Sequence, residues 1–273
     1  MPELPEVETI RCQLARKLPG EKIERVFANC PSLVFRGYPR KGMLAEEITG
    51  KKIVSVERRG KYLLLGLDRG LTLALHLGMS GTMLFRDKNA PRDRHCHLEL
   101  FLKKFKLSFR DPRMFGRVAL FKGQEFSLLP GLARLGPEPL SREFNPKWLA
   151  AKFQGRKAPV KSLLMDQRIA AGIGNIYSDE ACFVARVSPR RKAGRLKPEE
   201  ISRLDAAIKK VLRESIAAIG CTFRDYRTSE GTLGGYQPRV YGREGRRCKR
   251  CPGTVVRKVI ANRSSFFCPK CQR

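Results

Sequence analysis

The sequence lacks any long apolar run, so we expect no helix that crosses a membrane. No segment combines a basic start with a short apolar stretch, and no signal peptide is predicted. Internal repeats and low-complexity tracts are absent as well, which excludes repeat arrays. Acidic residues are scarce, because 26 Asp and Glu stand against 56 Lys and Arg in 273 residues.

The formal net charge of +30 at pH 7 is more than solubility alone requires. A polyanion is therefore the expected partner, since a strong positive field attracts nucleic acid. An anionic membrane surface is the competing partner. That alternative has less support, because the sequence offers no amphipathic basic helix with a bulky apolar face.

The chain contains nine cysteines, an odd number. Five of them are scattered without regular spacing: Cys12, Cys30, Cys96, Cys182 and Cys221. Scattered cysteines of this kind fit a reducing compartment. Together with the charge, they predict a cytoplasmic, nucleoid-associated protein.

Hydrophobic periodicity divides the chain into a β-rich part and a helical part. The first residues predict a helix, because apolar side chains recur at helical spacing behind prolines and acids suited to a first turn. Residues 23–122 are predicted mostly as strands punctuated by Gly and Pro. From about Pro146 the pattern becomes helical, and one long helix is predicted from Pro198 to Ala218.

Four regularly spaced cysteines lie in the C-terminal tail. CKRC is followed after sixteen residues by CPKC, which gives the pairs Cys248, Cys251 and Cys268, Cys271. This spacing predicts one structural zinc ion held by four thiolates, with no open coordination position for catalysis. Unliganded cysteines and an iron–sulfur cluster are the alternatives. The many basic residues around the pairs favour a zinc hairpin that binds nucleic acid.

Three separated stretches resemble one protein family. MPELPEVE, LLMDQRIAAGIGNIYSDEA and NRSSFFCPKCQ are similar to segments of formamidopyrimidine-DNA glycosylases, and the resemblance continues through GKYLLL, HLGMSG, DPRMFG and LGPEPLS. It implies an α+β chain, acting as a monomer, that removes oxidised purines such as 8-oxoguanine and formamidopyrimidines from duplex DNA and then cleaves the abasic site. The implied parts are a β-sandwich catalytic domain with a leading helix (1–130), a linker (131–145), a helix-two-turns-helix domain (146–222), a lesion-capping loop (223–243) and a zinc finger (244–273).

The resemblance places the chemistry at the N-terminus. It implies that Met1 is removed and that the amine of Pro2 attacks C1′ of the damaged nucleotide, with Glu3 as its acid/base partner. An α-amine has a pKa of roughly 8, so a fraction is unprotonated at neutral pH. A secondary amine condensing with a sugar aldehyde gives a cationic iminium, an electron sink that permits β-elimination and then δ-elimination. The alternative is that MPELPEVETI is only a well-formed helix start.

Two further residues complete the implied catalytic group. Lys61 in GKYLLL resembles the general acid/base and phosphate contact used in elimination. If a strand starts at Lys61, the side chain shares a face with Leu63 and Leu65, and snorkelling is the alternative. Glu6 resembles an additional active-site acid, with a solvated first-turn acid as the alternative.

His76, Asn175 and Arg263 resemble the clamp on the phosphates that flank the lesion. Such a clamp pulls the damaged base out of the stack, and Arg263 also counts among the implied catalytic residues. Asn175 follows Gly172 and Gly174, whose turn can aim backbone N–H groups at a phosphate. An ordinary turn is the alternative for this segment.

Met79, Arg113 and Phe115 resemble the residues that fill the space left by the extruded base. Met and Phe can wedge into the stack, and Arg can hydrogen-bond the orphaned cytosine. His95 and Arg156 match DNA-contact positions. For His95 the alternative is a polar strand face, and for Arg156 it is a solvated run of charges.

Three competing interpretations remain open at this level. The related endonuclease VIII branch prefers oxidised pyrimidines, but Leu4 and the run Arg113-Met114-Phe115 favour the purine branch. The second interpretation is a non-catalytic zinc-finger DNA-binding protein, and the third is an RNA-binding zinc-ribbon protein. The sequence departs from the family at Met114, where a basic residue is usual, and at Cys96, where Asp is common. Residues 224–240 resemble the segment that covers an extruded purine.

Overall fold

The structure, a computed structural model, describes residues 2–29, 43–123, 129–223 and 226–273. Two compact units divide these residues. The first unit runs to Ala133 and includes Ala218–Gly235, and the second comprises Arg134–Ala217 and Tyr236–Arg273. The predicted α+β class is confirmed. Met1, Cys30 and residues 224–225, on which some predictions fall, lie outside the described residues.

The chain begins with helix α1, Leu4–Lys17, as its periodicity predicts. Pro5 lies in the first turn, where its missing N–H removes no helical hydrogen bond. The carboxylate of Glu6 accepts a hydrogen bond from the backbone N–H of Glu3 at 2.8 Å, which satisfies a donor at the open end of the helix. Arg16 and Lys17 occupy the last turn and complement the helix dipole.

Eight strands lie in the described part of the first unit, and they form two antiparallel sheets of four. The strands are β1 (Arg25–Ala28), β2 (Ile53–Arg59), β3 (Tyr62–Leu67), β4 (Leu71–His76), β5 (Thr82–Asp87), β6 (Cys96–Phe101), β7 (Phe105–Arg110) and β8 (Arg117–Lys122). One sheet has the order β1-β6-β7-β5 and the other β2-β3-β4-β8. Two short α-helices, α2 (Met43–Ile48) and α3 (Pro130–Ala133), and a 3₁₀ turn at Asp68–Gly70 complete the described elements of this unit.

One hydrophobic core joins α1 to both sheets. Its fully buried members include Ile10, Leu14, Leu63, Leu65, Leu73, Leu75, Leu100 and Phe109. Tyr226 also packs into this core. The segment Ala218–Gly235 is tied to the same unit, because the N–H of Ser229 donates to the side-chain oxygen of Gln13 and the N–H of Phe85 donates to the carbonyl of Ser229.

The second unit contains four helices and a hairpin among its described residues. They are α4 (Pro146–Phe153), α5 (Val160–Leu164), α6 (Asn175–Ala185), α7 (Pro198–Ala217), β9 (Val256–Ile260) and β10 (Arg263–Phe267). β9 and β10 pair antiparallel across a two-residue turn. Both turn residues, Ala261 and Asn262, have positive φ, as the tight turn of a twisted hairpin requires. None of the helices in the described ranges has the length and apolarity of a membrane span.

Candidate functional site

The predicted catalytic residues of the N-terminus lie at the start of α1. Pro2, Glu3 and Glu6 are all buried. Glu3 is the N-cap residue, and its extended backbone turns the chain into the helix immediately after Pro2. The burial of two glutamates in the first turn is unusual for a plain helix start, where acids normally remain solvated.

Glu6 connects the start of α1 to a distant segment of the same unit. One carboxylate oxygen accepts the N–H of Glu3, and the other accepts the N–H of Cys221, each at 2.8 Å. A Cβ atom on Gly220 would lie 3.1 Å from that carboxylate, so the segment packs closely against it. Tyr226 lies at the same place, and its hydroxyl donates to the carbonyl of Ile219 at 3.1 Å. Glu6 therefore accepts backbone hydrogen bonds on both oxygens.

Lys61 lies in the turn before β3 and is buried, with 7% of its surface exposed. The strand begins one residue later, at Tyr62, and Leu63 and Leu65 are fully buried beyond it. Lys61 is therefore a buried basic residue directly before β3.

His76 ends β4, opposite Tyr62 of β3 and Arg117 of β8. Its ring packs on the Tyr62 ring with centroids 4.8 Å apart. Burial, with the positive charges of Lys61 and Arg117, lowers the pKa of His76 to about 4. Nδ1 accepts the N–H of Gly78 at 3.1 Å. The imidazole is therefore neutral at pH 7, and Nε2–H is its donor.

Two neighbouring turns of the first unit expose the predicted wedge residues. Met79 lies between β4 and β5, and Arg113 and Phe115 lie between β7 and β8. All three side chains are exposed, although Met and Phe ordinarily prefer the core. The Arg113 guanidinium lies over the Phe115 ring, 4.8 Å from its centroid.

His95 and Arg156, two more of the predicted contacts, are accessible. His95 is half-buried before β6, and Arg156 is exposed after α4. The N–H of His95 donates to the carboxylate of Asp93 at 2.7 Å, which fixes the backbone of this turn.

In the second unit, Asn175 and Arg263 lie at two ends of secondary structure. Asn175 is the first residue of α6, and its amide donates to the carbonyl of Ser264 and to the hydroxyl of Tyr241. Arg263 is exposed at the start of β10, directly after the hairpin turn. The Asn175–Ser264 bond therefore fixes the start of α6 relative to the residue that follows Arg263.

The four tail cysteines meet the geometric requirement of a zinc site. Their sulfur atoms all lie within 4.8 Å of one another. The sulfurs of Cys248 and Cys271 are 3.8 Å apart, and those of Cys251 and Cys268 are 3.6 Å apart. Four thiolates bound to zinc at about 2.3 Å in a tetrahedron are separated by about 3.8 Å. The site thus fits one zinc ion, and bound zinc holds the two ends of the β9–β10 hairpin together.

Known proteins resemble the chain over its whole length. Residues 1–118 match the sequence model of the formamidopyrimidine-DNA glycosylase N-terminal domain. Residues 135–226 match the model of the H2TH domain of the same enzymes, and residues 245–273 match the zinc finger found in FPG and IleRS. The formamidopyrimidine-DNA glycosylase of Desulfitobacterium hafniense (strain DSM 10664 / DCB-2) is 44% identical over 274 residues, covering all of both chains.

The chain belongs to the formamidopyrimidine-DNA glycosylase family. Its fold matches the crystal structure of the Fpg (MutM) protein of Thermus thermophilus with a TM-score of 0.89 at 42% identity, covering 99% of this chain and 98% of that one. A variant of the Lactococcus lactis Fpg in complex with Fapy-dG-containing DNA gives a TM-score of 0.92 at 33% identity over both whole chains. The Lactococcus lactis Fpg bound to abasic-site DNA gives 0.90 at 33% identity, covering 99% of each chain. The chain is a DNA glycosylase of this family and carries its zinc finger.

Sequence reasoning missed two acids of α6 that organise the second unit of this glycosylase. Asp179 forms a buried ion pair with Lys161 at 2.8 Å and also accepts the N–H of Phe266. Glu180 is fully buried and accepts the consecutive N–H groups of residues 239–241. Two adjacent acids inside an otherwise apolar helix, NIYSDEACFVA, were the available signal, because such acids need partners when buried.

Proposed function

We propose that the protein removes oxidised purines from duplex DNA and cleaves the resulting abasic site by β- and δ-elimination, as a cytoplasmic monomer. The observation that carries the proposal is the start of α1, where Pro2 directly precedes two buried glutamates. The Lactococcus lactis relative is known with Fapy-dG-containing and abasic-site DNA, which supports both halves of the proposal.

The first step uses the secondary amine of Pro2, freed by removal of Met1. The amine attacks C1′ while the base departs, and Glu3 acts as the general acid/base that transfers protons at the sugar and the leaving base. The nitrogen then loses its proton, O4′ gains one as the C1′–O4′ bond breaks, and the opened sugar is held to Pro2 as a cationic iminium. Glu3 is suited to this task because it follows Pro2 directly in the sequence and is buried.

The second step removes the phosphates. The iminium acidifies the C2′ hydrogen, so a base can take that proton while the 3′ phosphate leaves, and a second elimination releases the 5′ phosphate. Lys61 is the proposed acid/base for these transfers. An amine can carry a proton to or from the sugar, and burial of this amine is unusual for a lysine.

DNA binding is assigned to three residues of the two units and to the net charge. The neutral His76 ring offers Nε2–H to a phosphate without needing a proton from solvent. Arg263 offers a guanidinium from a hairpin held by zinc, and Asn175 lies at the positive end of α6. Met79, Arg113 and Phe115 are assigned to the space left by the extruded base.

A cleavage assay tests the reaction and the substrate class together. We expect duplexes with 8-oxoguanine or a formamidopyrimidine to be cut, leaving phosphates at both ends of the gap. Duplexes with an oxidised pyrimidine should be cut far more slowly. Faster cleavage of the oxidised-pyrimidine duplex would show that oxidised pyrimidines are the substrate class. If neither lesion duplexes nor abasic duplexes were cut, an enzymatic function would be contradicted.

Borohydride trapping tests the nucleophile. A protein that retains a residue in front of Pro2 should not trap on lesion or abasic DNA, because the amine has become an amide without a nucleophilic lone pair. Glu3→Gln should lose base excision by roughly a hundredfold, the scale of one acid/base group, while still nicking a preformed abasic site. An adduct that maps to Lys61 would overturn the assignment of Pro2.

A further inference from the structure

The two turns that expose the wedge residues are joined by one buried carboxylate. Asp111, the first residue of DPRMFG, is fully buried, whereas Arg113 and Phe115 of the same motif are exposed. We propose that Asp111 is the positioning residue that holds Met79, Arg113 and Phe115 in register for insertion into DNA. This inference rests on the proposed function, since it presumes that the duplex is opened at the lesion.

One carboxylate oxygen of Asp111 reaches the turn that carries Met79. The hydroxyl of Ser80 donates to Oδ1 at 2.5 Å, and Ser80 is itself buried. Ser80 is the immediate neighbour of Met79, so this bond fixes the backbone from which the Met79 side chain projects. A charge-assisted hydrogen bond of this kind is stronger than a neutral one.

The same carboxylate also folds its own turn. Oδ2 accepts the N–H of Gly116 at 2.7 Å, and Oδ1 accepts the N–H of Arg113 at 3.3 Å. The backbone carbonyl of Asp111 accepts the N–H of Met114 at 3.2 Å. Every residue from 113 to 116 other than Phe115 is therefore bonded to Asp111.

This turn needs such support because its backbone is strained. Met114 has a φ of 52°, in the left-handed region that favours glycine. A non-glycine residue is disfavoured in this region and persists there only when neighbouring contacts determine the conformation. The hydrogen bonds to Asp111 are the contacts that hold this conformation.

The two turns also touch through their backbones. A Cβ atom on Gly78 would lie 2.5 Å from the carbonyl carbon of Phe115, so only glycine permits this approach. A Cβ atom on Gly116 would lie 3.1 Å from the Asp111 carboxylate. Ser80, Asp111 and the two glycines therefore make one rigid base beneath three exposed side chains.

Asp111→Asn isolates the acceptor role. The amide keeps the size of the carboxylate but turns one acceptor into an NH₂ donor, so it can no longer accept from the N–H groups of both Arg113 and Gly116, which bond to different oxygens of Asp111. We expect kcat/KM on an 8-oxoguanine duplex to fall by roughly ten- to a hundredfold, the effect of a positioning error of about 1 Å. Cleavage of a single-stranded abasic oligonucleotide, which has no stack to open, should stay within about twofold.

Wedge insertion is measured directly, without catalysis. A duplex carrying a tetrahydrofuran abasic analogue opposite 2-aminopurine should brighten when wild-type protein unstacks the reporter base. Asp111→Asn should lose most of this rise, because Met79, Arg113 and Phe115 are no longer held in place. The matched control is Asp87→Asn, which alters a carboxylate that accepts a backbone N–H in another turn of the same unit.

Ser80→Ala keeps the test decisive if Asp111→Asn does not fold. It removes one hydrogen bond and should reduce the fluorescence rise and duplex cleavage severalfold, with single-stranded cleavage unchanged. Equal losses on duplex and single-stranded substrates, or an undiminished fluorescence rise, would overturn the assignment of Asp111. If the wild-type protein brightens the reporter but does not cleave, the proposed reaction fails while the positioning role stands.

Discussion

The ammonium nitrogen of Lys161 lies 2.8 Å from the carboxylate of Asp179, and both side chains are buried in the second unit. Lys161 also donates to the carbonyl of Ser264, and the N–H of Phe266 donates to Asp179. The pair therefore ties α5 and α6 to β10, the strand that carries Arg263. Burial raises the pKa of Asp179 to about 7 despite the neighbouring ammonium group.

Replacing only one partner of this ion pair should destabilise the second unit strongly. Lys161→Met leaves Asp179 buried without its cation, and we expect the free energy of unfolding to fall by about 3–5 kcal/mol. The double variant Lys161→Met/Asp179→Leu should recover most of that loss, because both charges are gone. Urea unfolding of the three proteins measures the difference. A single variant as stable as wild type would show that the pair is not coupled to folding.

Glu6→Gln separates a positioning role from proton transfer. Both carboxylate oxygens accept backbone N–H groups, and Gln can supply only one acceptor. We expect a loss of about 1–3 kcal/mol in stability and a lower kcat, with the pH dependence of base excision unchanged in shape. Loss of one limb of the pH profile would instead identify Glu6 as an acid/base group. Glu46→Gln, at an exposed position, is the control.

His76 should stay neutral across the working pH range. Its pKa is lowered to about 4, so NMR should show no protonation of this ring between pH 5.5 and 8. Because the folded value lies below the ordinary 6.5, the group contributes stability that is present above that pH and is lost as the pH falls toward 4. A midpoint near 6.5 for His76 would contradict the burial argument.

Zinc removal should unfold the tail without unfolding the β-rich unit. Chelation, or Cys268→Ala, removes the free energy that holds β9 and β10 in place, so Arg263 loses its fixed position and affinity for abasic-analogue DNA should drop. Circular dichroism should still report the strands of the first unit. Cys12→Ser, which alters a cysteine outside the four-thiolate site, is the control. Undiminished DNA affinity in the metal-free protein would show that the tail is not part of the binding surface.

The parts of this structure that sequence predicts well are those whose signal is local. The Cys-x-x-Cys pairs specify a metal site within a short stretch, and the spacing of apolar residues in α1 and α7 specifies their buried faces. Motif resemblance assigns roles only where motifs stand in the sequence, as in DPRMFG. It does not show that, within this motif, Asp111 is buried and Arg113 is exposed.

Contacts between distant residues escape this approach. Nothing near Glu6 indicates that Cys221 will be its partner, and Lys161 is one of 56 basic residues until packing places it beside Asp179. The lowered pKa of His76 has the same origin, because burial and the approach of Lys61 and Arg117 arise only when the sheet forms. These contacts and this pKa depend on which residues the folded chain brings together.

The hydrogen bond between Glu6 and Cys221 joins residues 215 positions apart, so it forms late in the synthesis of the chain. A ribosome that adds about 5–20 residues per second needs on the order of ten to forty seconds to make the chain between them. During that interval the amine end of the nascent protein already exists, but the segment that locks it does not. A chain truncated before Cys221 therefore lacks one of the two backbone partners of Glu6, and the start of α1 gains this contact only after most of the protein has been synthesised.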